Sequence, residues 1–191
     1  MSKTLKTILI IVGILILLIV PIAGSYNKLV GLEQSVKTSE AAIDVNLQRR
    51  NDLIPNLVET VKGYAAQEKD ILTEIANARS RLGGAQSVQE RADADNQLSG
   101  ALSRLLVVVE RYPELKSNQN FRDLSVALEG TENRIAISRQ DYNKSVDAYN
   151  TAVRRFPTTI VANLFRFEQK PYYRAAEGAR EVPKVDFNTT R

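Results

Sequence analysis

Residues 8–20 read ILIIVGILILLIV, and this stretch decides what kind of fold the chain can adopt. Twelve of its thirteen residues are Ile, Leu or Val, and the 21 residues from Thr7 to Asn27 carry no charge. A helix of that length rises about 30 Å, the thickness of the hydrocarbon core of a bilayer. The sequence therefore predicts a transmembrane anchor within residues 1–25. Its span residues are Ile8, Leu9, Ile10, Ile11, Val12, Ile14, Leu15, Ile16, Leu17, Leu18, Ile19 and Val20.

A cleaved signal peptide is the alternative for this N-terminal segment. Ala23, Gly24 and Ser25 are small residues of the kind that signal peptidases accept. However, the apolar stretch is at the long end for a signal peptide and consists of bulky residues, which favours a retained anchor. A buried core helix is disfavoured because the stretch has no polar stripe.

The flanking charges give a weak prediction of orientation. Lys3 and Lys6 precede the span, and Lys28 and Lys37 follow it. Together with the α-amine, this distribution favours a cytoplasmic N-terminus and an exported body. The chain contains no cysteine, so disulfides give no indication of the compartment.

Apolar residues recur at helical spacing through residues 26–155, in four segments. The breaks between them are predicted at Asn51 or Asp52, which would cap a helix with Pro55 in its first turn, at Gly83-Gly84, and at Tyr112-Pro113. The pattern predicts an all-α fold, an antiparallel up-and-down four-helix bundle of long, coiled-coil-like helices that follows the N-terminal transmembrane helix. The predicted helices are 26–50, 52–83, 87–112 and 118–154.

Residues 156–175 are rich in aromatic and basic side chains, and a polar tail, residues 176–191, follows. One interpretation is a short helix that caps the open end of the bundle core. The other is a segment at the membrane surface, with aromatic rings in the headgroup zone and basic groups near anionic lipid. The residues predicted for that surface are Arg154, Arg155, Phe156, Phe165, Arg166, Phe167, Lys170 and Arg174.

The composition argues against most catalytic chemistry. The sequence has no His and no Cys, which removes common zinc sites, di-iron bundle sites and the usual nucleophile–histidine pairs. We therefore predict no catalytic, cofactor-binding or metal-binding residues, no cofactor and no small-molecule substrate. The chain carries 26 basic and 22 acidic residues without a dense basic stripe, so nucleic acid is not a predicted partner.

Several charged residues lie on or beside the apolar stripes. Glu68 interrupts the stripe of the second predicted helix, where it is expected to tilt to the bundle edge or meet an arginine. The alternative is a buried catalytic carboxylate. The other clusters are predicted to form ion pairs between helices and helix caps. They are Arg49-Arg50-Asn51-Asp52, Arg79 with Arg81, and Glu132-Asn133-Arg134 with Arg139.

Long motifs in the chain resemble a known family. Residues 47–64 read LQRRNDLIPNLVETVKGY, and this stretch is similar to the signature of the LemA family. The same resemblance extends over about residues 26–167. It includes Tyr26-Asn27-Lys28-Leu29-Val30, Tyr112-Pro113-Glu114-Leu115-Lys116, Thr131-Glu132-Asn133-Arg134-Ile135-Ala136, Tyr142-Asn143, Tyr149-Asn150-Thr151, Phe156-Pro157 and Val161-Ala162.

The resemblance implies a single-pass protein of the bacterial cell (inner) membrane, without established catalysis. One branch of the family is similar to a magnetosome membrane-formation protein, which implies a membrane-organising scaffold. With the orientation above, the bundle would lie on the periplasmic face, with the lipid bilayer and a protein partner, or a second copy, as partners. The alternative is an accessory factor for a membrane protease or transporter in envelope stress. Two departures from the family pattern are Ser39-Glu40, where Ala-Trp is common, and Gln67, where a His is common.

Overall fold

The computed structural model describes residues 3–174, and every regular element among them is an α-helix. The predicted all-α class is confirmed. The helices are α1 (Lys3–Lys62), α2 (Lys69–Gly84), α3 (Val88–Val109), α4 (Pro113–Ser117), α5 (Gln119–Arg154) and α6 (Thr158–Phe165). The predicted polar tail, residues 176–191, lies outside the described residues.

The chain divides into two compact units. Of the described residues, 3–48 and 131–172 belong to unit 1, and 49–130 and 173–174 belong to unit 2. Helices α1 and α5 each pass from one unit to the other, so each contributes a segment to both cores.

In unit 1, α1 and α5 pack antiparallel. Asn46 of α1 donates to Ser138 Oγ of α5 at 2.9 Å, whereas the earlier Glu33 and the later Asn150 both contact Lys170. One apolar stripe of each helix is buried between them. The buried residues are Leu29, Val36, Ile43 and Leu47 of α1 and Ile135, Tyr142, Val146, Tyr149 and Val153 of α5.

In unit 2, α2 and α3 form an antiparallel hairpin. Glu74 pairs with Arg104, and Arg81 Nη1 donates to Gln97 Oε1 at 2.9 Å. The turn between the helices follows Gly83-Gly84, the predicted stop, and Ser87 then begins α3 with a capping box that it shares with Glu90. The buried face of the hairpin includes Ile71, Leu72, Ile75, Leu82, Leu98, Leu105 and Val109.

The predicted boundary at residues 50–52 is wrong, because α1 continues through Pro55 to Lys62. A proline inside a helix costs about 3 kcal/mol. The buried stripe runs past the proline from Ile54 to Leu57 and Val61, each at most 2% exposed. Full burial of such a side chain is worth about 1.5–3 kcal/mol, so packing outweighs the local cost of the proline.

The first break comes instead at residues 63–68, within the predicted second helix. The backbone there forms short turns, among them Tyr64 N to Val61 O at 3.0 Å and Glu68 N to Ala65 O at 3.1 Å. Tyr64 is 41% exposed, and its hydroxyl accepts from Asn118 at 3.0 Å. Gly63 at the end of α1 was the local signal for this break.

The third predicted helix is also shorter than expected. It ends at Val109, and Pro113 begins the short helix α4 after Tyr112. Asn118 then caps α5, because its side-chain oxygen accepts from the Phe121 amide at 3.0 Å.

The predicted anchor forms the beginning of α1. Its described apolar side chains are largely exposed, from Val12 at 44% to Leu17 at 73%. The side chains of Ile14, Leu15 and Leu18 lie outside what the structure describes. Counting only described residues, none of the helices combines the length and the apolarity needed to cross a bilayer.

Candidate functional site

The aromatic segment that follows α5 reverses direction and packs on α1 and α5 within unit 1. Pro157, after a cis Phe156–Pro157 bond, leads into α6. Helix α6 ends at Arg166, which adopts a left-handed conformation with φ 59° and ψ 40°. The Phe167 amide donates to Ala162 O at 2.9 Å, so the last turn is closed by backbone bonds. This geometry directs residues 167–172, which we name the C-terminal segment, back along α5.

Two side chains of α5 hold the C-terminal segment by its backbone. The Asn150 side chain donates to Lys170 O at 2.9 Å and accepts from Lys170 N at 2.8 Å. Tyr142 Oη donates to Pro171 O at 2.9 Å. Asn150 thereby satisfies both backbone groups of Lys170, as a neighbouring strand would.

The Lys170 side chain connects this segment to α1. Its Nζ lies 2.9 Å from Glu33 Oε1 and 5.9 Å from the centre of the Tyr149 ring. The hydrogen bond from Lys170 lowers the pKa of Glu33, and the same bond raises the pKa of Lys170. Burial raises the pKa of Tyr149, whose hydroxyl has no hydrogen-bond partner among the described residues.

Helix α6 presents one buried face and one exposed apolar face. Thr158, Val161 and Ala162 are buried. The opposite face carries Ile160 at 57% exposure, Leu164 at 67% and Phe165 at 49%, and the adjacent Phe156 is 75% exposed. An apolar helix face left open to solvent marks a candidate contact surface.

Two rings of this region contact the end of the uncharged N-terminal span. The ring of Tyr26 on α1 lies 4.9 Å from that of Phe165 and 5.7 Å from that of Phe167, both centre to centre and both inclined. Such inclined pairs are favourable arrangements for aromatic rings. They place the exposed face of α6 beside the point where the apolar stretch ends.

The residues predicted for a membrane surface differ in exposure. Lys170 and Phe167 are only partly exposed, and Lys170 is paired with Glu33. Phe165 keeps half of its surface exposed while it contacts Tyr26. Arg154, Arg155, Phe156, Arg166 and Arg174 are exposed.

Two of the predicted charged clusters form contacts between helices. In unit 2, Arg50 Nη1 lies 2.6 Å from Asp95 Oδ1 with both side chains at most 2% exposed, and Nη2 donates to Ser99 Oγ at 2.8 Å. Arg79 Nε donates to Asn51 Oδ1 at 3.1 Å. The prediction of ion pairs between helices is confirmed for Arg50.

Glu68 lies in the turn before α2 and meets an arginine, as expected. Its Oε1 accepts from Arg111 at 2.8 Å and from the Tyr112 hydroxyl at 2.8 Å. The bond to Glu68 raises the pKa of Tyr112 because it stabilises the protonated phenol. No group of three acidic, His or Cys side chains placed to hold a metal occurs among the described residues.

Sequence reasoning missed three residues that organise these contacts. Asp95 had a usable signal, since it lies three residues before Leu98 on the buried stripe of α3. Glu33 and Asn150 had none, because their partner Lys170 is distant in sequence. Asn150 belongs to one of the motifs that resemble a family signature, but the motif does not reveal what the side chain binds.

Together these features define a class: an all-α helical-bundle protein with an aromatic, basic segment fastened beside α1. A family model described as the LemA family matches residues 39–187. The chain belongs to the LemA family. The predicted resemblance is confirmed, and the match extends into the C-terminal tail.

Relatives of known name agree with this assignment. Magnetosome protein MamQ 2 of Paramagnetospirillum magneticum is 26% identical over 174 residues, covering 78% of this chain and 64% of that protein. Magnetosome protein MamQ of Magnetospirillum gryphiswaldense is 25% identical, with the same coverage. Protein LemA of Metamycoplasma hominis is 21% identical over 168 residues, covering 87% of this chain and 75% of that protein. The chain thus spans slightly less than two thirds of the magnetosome proteins it matches.

Proposed function

We propose that this chain is a membrane-anchored, non-catalytic scaffold of the bacterial envelope. The anchor lies within residues 1–25, and the helical bundle presents a surface to a protein partner or to a second copy. The proposal rests on a change in the exposure of apolar side chains along α1. Its start exposes apolar side chains such as Leu17, 73% exposed, and its continuation buries one stripe that includes Leu29, 0% exposed.

The exposed start of α1 supports an anchor. Exposing so many apolar side chains to water is unfavourable, at roughly 25 cal/mol for each Å² of apolar surface. Insertion into lipid removes that cost. Each Ile, Leu or Val near the centre of a transmembrane helix favours insertion by about 0.3–0.6 kcal/mol. Lys3 and Lys6 on the preceding side support a cytoplasmic N-terminus and a periplasmic bundle in a single-pass inner-membrane protein.

The disposition of the carboxylates supports a structural role. Asp95 is paired with Arg50, Glu68 with Arg111, and Glu33 with Lys170. Each of these pairs joins two different elements of one unit. Because the sequence also has no His and no Cys, these acids are best explained as connections between elements of the fold.

The relatives support the scaffold by analogy. Two of them are named as magnetosome proteins, and a role in organising a cell structure would suit a bundle without catalytic groups. We extend that role to this chain as part of the proposal.

Crosslinking in intact membranes tests the scaffold. The full chain, crosslinked in cells and then extracted, should appear in defined higher-mass species whose components mass spectrometry identifies. A variant with lysines at Val12 and Ile16, which should not insert, serves as the control and should lose those species. A strictly solitary chain in the membrane would contradict the proposal. Recovery of one membrane protease or transporter would favour an adaptor for that enzyme instead.

A further inference from the structure

We propose that α6, together with Tyr26, forms a second membrane contact that lies in the headgroup zone of anionic phospholipids. The inference rests on the proposed anchor and adds the chemistry of the surface that the bundle meets. Three features carry it: an exposed apolar face, its position beside the end of the anchor, and exposed basic side chains next to that face.

The exposed apolar side chains of α6 form one continuous face. Ile160 and Leu164 are four residues apart and therefore share one side of α6, with Phe165 next to them. All three are at least 49% exposed. The helix is only eight residues long, which suits shallow insertion at an interface rather than a span.

The position of this face is fixed by contacts. Tyr26 is the second-last residue of the uncharged span, so it would lie where the hydrocarbon core gives way to headgroups. Tyrosine is enriched at that level because its ring is apolar and its hydroxyl polar. Phe165 lies 4.9 Å from the Tyr26 ring, so α6 is held at the same level.

The C-terminal segment keeps α6 there. On one side a three-residue turn joins α6 to α5. On the other side Lys170 is held by Asn150 through two backbone bonds and by Glu33. The apolar face of α6 is therefore already oriented in the absence of lipid. This preorganisation lowers the entropic cost of binding to a membrane.

The charges select anionic lipid. Arg154 and Arg155 precede α6 and Arg166 follows it, and all three are exposed. Arg166 occupies a left-handed position where glycine is ordinarily favoured. An exposed arginine kept at such a position agrees with a role in binding. This basic surrounding favours a lipid surface over a wholly apolar protein partner.

A single fluorescent label tests the contact in the full chain. Because the chain has no cysteine, Leu164→Cys gives one labelling site on α6. Val45→Cys is the matched control: it lies in the same unit, its native side chain is 69% exposed against 67% for Leu164, and it lies about 38 Å beyond Val20 along α1. Each labelled chain is reconstituted into phosphatidylcholine vesicles with or without phosphatidylglycerol and with a lipid-borne quencher.

We expect the label at Leu164 to be quenched several-fold more than the label at Val45, and more strongly when phosphatidylglycerol is present. Replacing Arg154 and Arg155 by Gln should weaken the contact by about fivefold for each charge removed. Equal quenching at Leu164 and Val45 in chains that float with the vesicles would overturn this inference and leave the anchor intact. A chain that does not float overturns the anchor and this inference with it. A label at Leu164 that is shielded from water but not quenched by lipid would show contact with a second copy, which also overturns it.

Discussion

Two stretches of helix α1 contrast sharply although the helix is continuous. Residues 8–20 are almost entirely Ile, Leu and Val, and their described side chains are 44–73% exposed. The stretch from Leu29 to Val61 is less apolar, yet Leu29, Val36, Ile43, Leu47, Ile54, Leu57 and Val61 are at most 5% exposed. The more apolar stretch is the more exposed one.

The comparison shows that the spacing of apolar residues along a helix, rather than their number, decides whether they can be buried in a protein core. Side chains spaced by three, four or seven residues form one stripe that a neighbouring helix can cover. Side chains on every face of a helix cannot all be covered by one neighbour. Lipid surrounds a helix on all sides, which is why we propose it as the environment of residues 8–20.

The largest change in stability is expected at Asp95, the charged residue on the buried stripe of α3. Asp95→Ala leaves the guanidinium of Arg50 buried without its carboxylate, and we expect a loss of about 4 kcal/mol in the free energy of unfolding. Urea denaturation of the full chain in detergent, followed by circular dichroism, measures this. Replacing both residues, Arg50→Met with Asp95→Leu, should recover most of the loss. A loss below about 1 kcal/mol would contradict a buried ion pair.

The stripe itself can be tested with two neighbouring residues. Ile43 is 1% exposed and Val45, two residues later on α1, is 69% exposed. Ile43→Ala should destabilise the protein by about 3 kcal/mol, because it removes buried surface and leaves a cavity. Val45→Ala should change the stability little in the same denaturation experiment. Similar losses for both variants would contradict the assigned register.

Two tyrosines on α5 should respond in opposite directions to removal of their hydroxyls. Tyr142 and Tyr149 are both at most 1% exposed. Among the described residues, the Tyr142 hydroxyl donates to Pro171 O, whereas the Tyr149 hydroxyl has no hydrogen-bond partner. Tyr142→Phe should cost about 1 kcal/mol, and Tyr149→Phe should be neutral or stabilise by up to about 1 kcal/mol. Thermal unfolding of the two variants side by side measures the difference. Equal losses would show that Tyr149 is hydrogen-bonded.

The smallest effect is expected at the pair that joins α1 to the C-terminal segment. Glu33 has a lowered pKa, so its contribution is present above its ordinary value of 4.5 and is lost as the pH falls through the lowered pKa. Lys170 has a raised pKa, so its contribution is lost only as the pH rises beyond 10.5. Both groups are partly exposed, which limits the pair to about 0.5 kcal/mol at neutral pH.

Glu33→Gln isolates this contribution. The difference in unfolding free energy between the wild type and the variant should be measurable at neutral pH and should vanish in acid, below the lowered pKa. A difference that stays constant over the whole acid range would contradict an ionic contribution from Glu33.

Much of the fold could be predicted from the periodicity of apolar residues. The stripe residues Ile71, Ile75, Ala78 and Leu82 are all buried, and so are Phe121, Ile135, Tyr142, Tyr149 and Val153. The first break was misplaced because Pro55 is a strong local signal, whereas the packing of Ile54, Leu57 and Val61 across it depends on the rest of the core. At Pro55, tertiary packing therefore outweighs the helix-breaking tendency of the proline.

The site was less predictable than the fold. The composition of residues 156–175 indicated an aromatic and basic surface, and the structure leaves most of those side chains exposed. The sequence could not predict that Lys170 pairs with Glu33 instead of facing this surface, because its partners Glu33 and Asn150 lie on α1 and α5. Contacts between residues so distant in sequence depend on how the helices pack.

Flotation of the full chain with liposomes tests the proposed anchor most directly. Val12→Lys with Ile16→Lys places two charges in the exposed apolar stretch, at a cost of about 5–7 kcal/mol for insertion. Val30→Lys with Val45→Lys is the matched control, because both of those valines are exposed on the same helix, at 41% and 69%. We predict that the wild type and the control float with the lipid and that the first variant stays in the aqueous fraction. Equal flotation of both variants, or a wild type that remains in the aqueous fraction, would contradict the account.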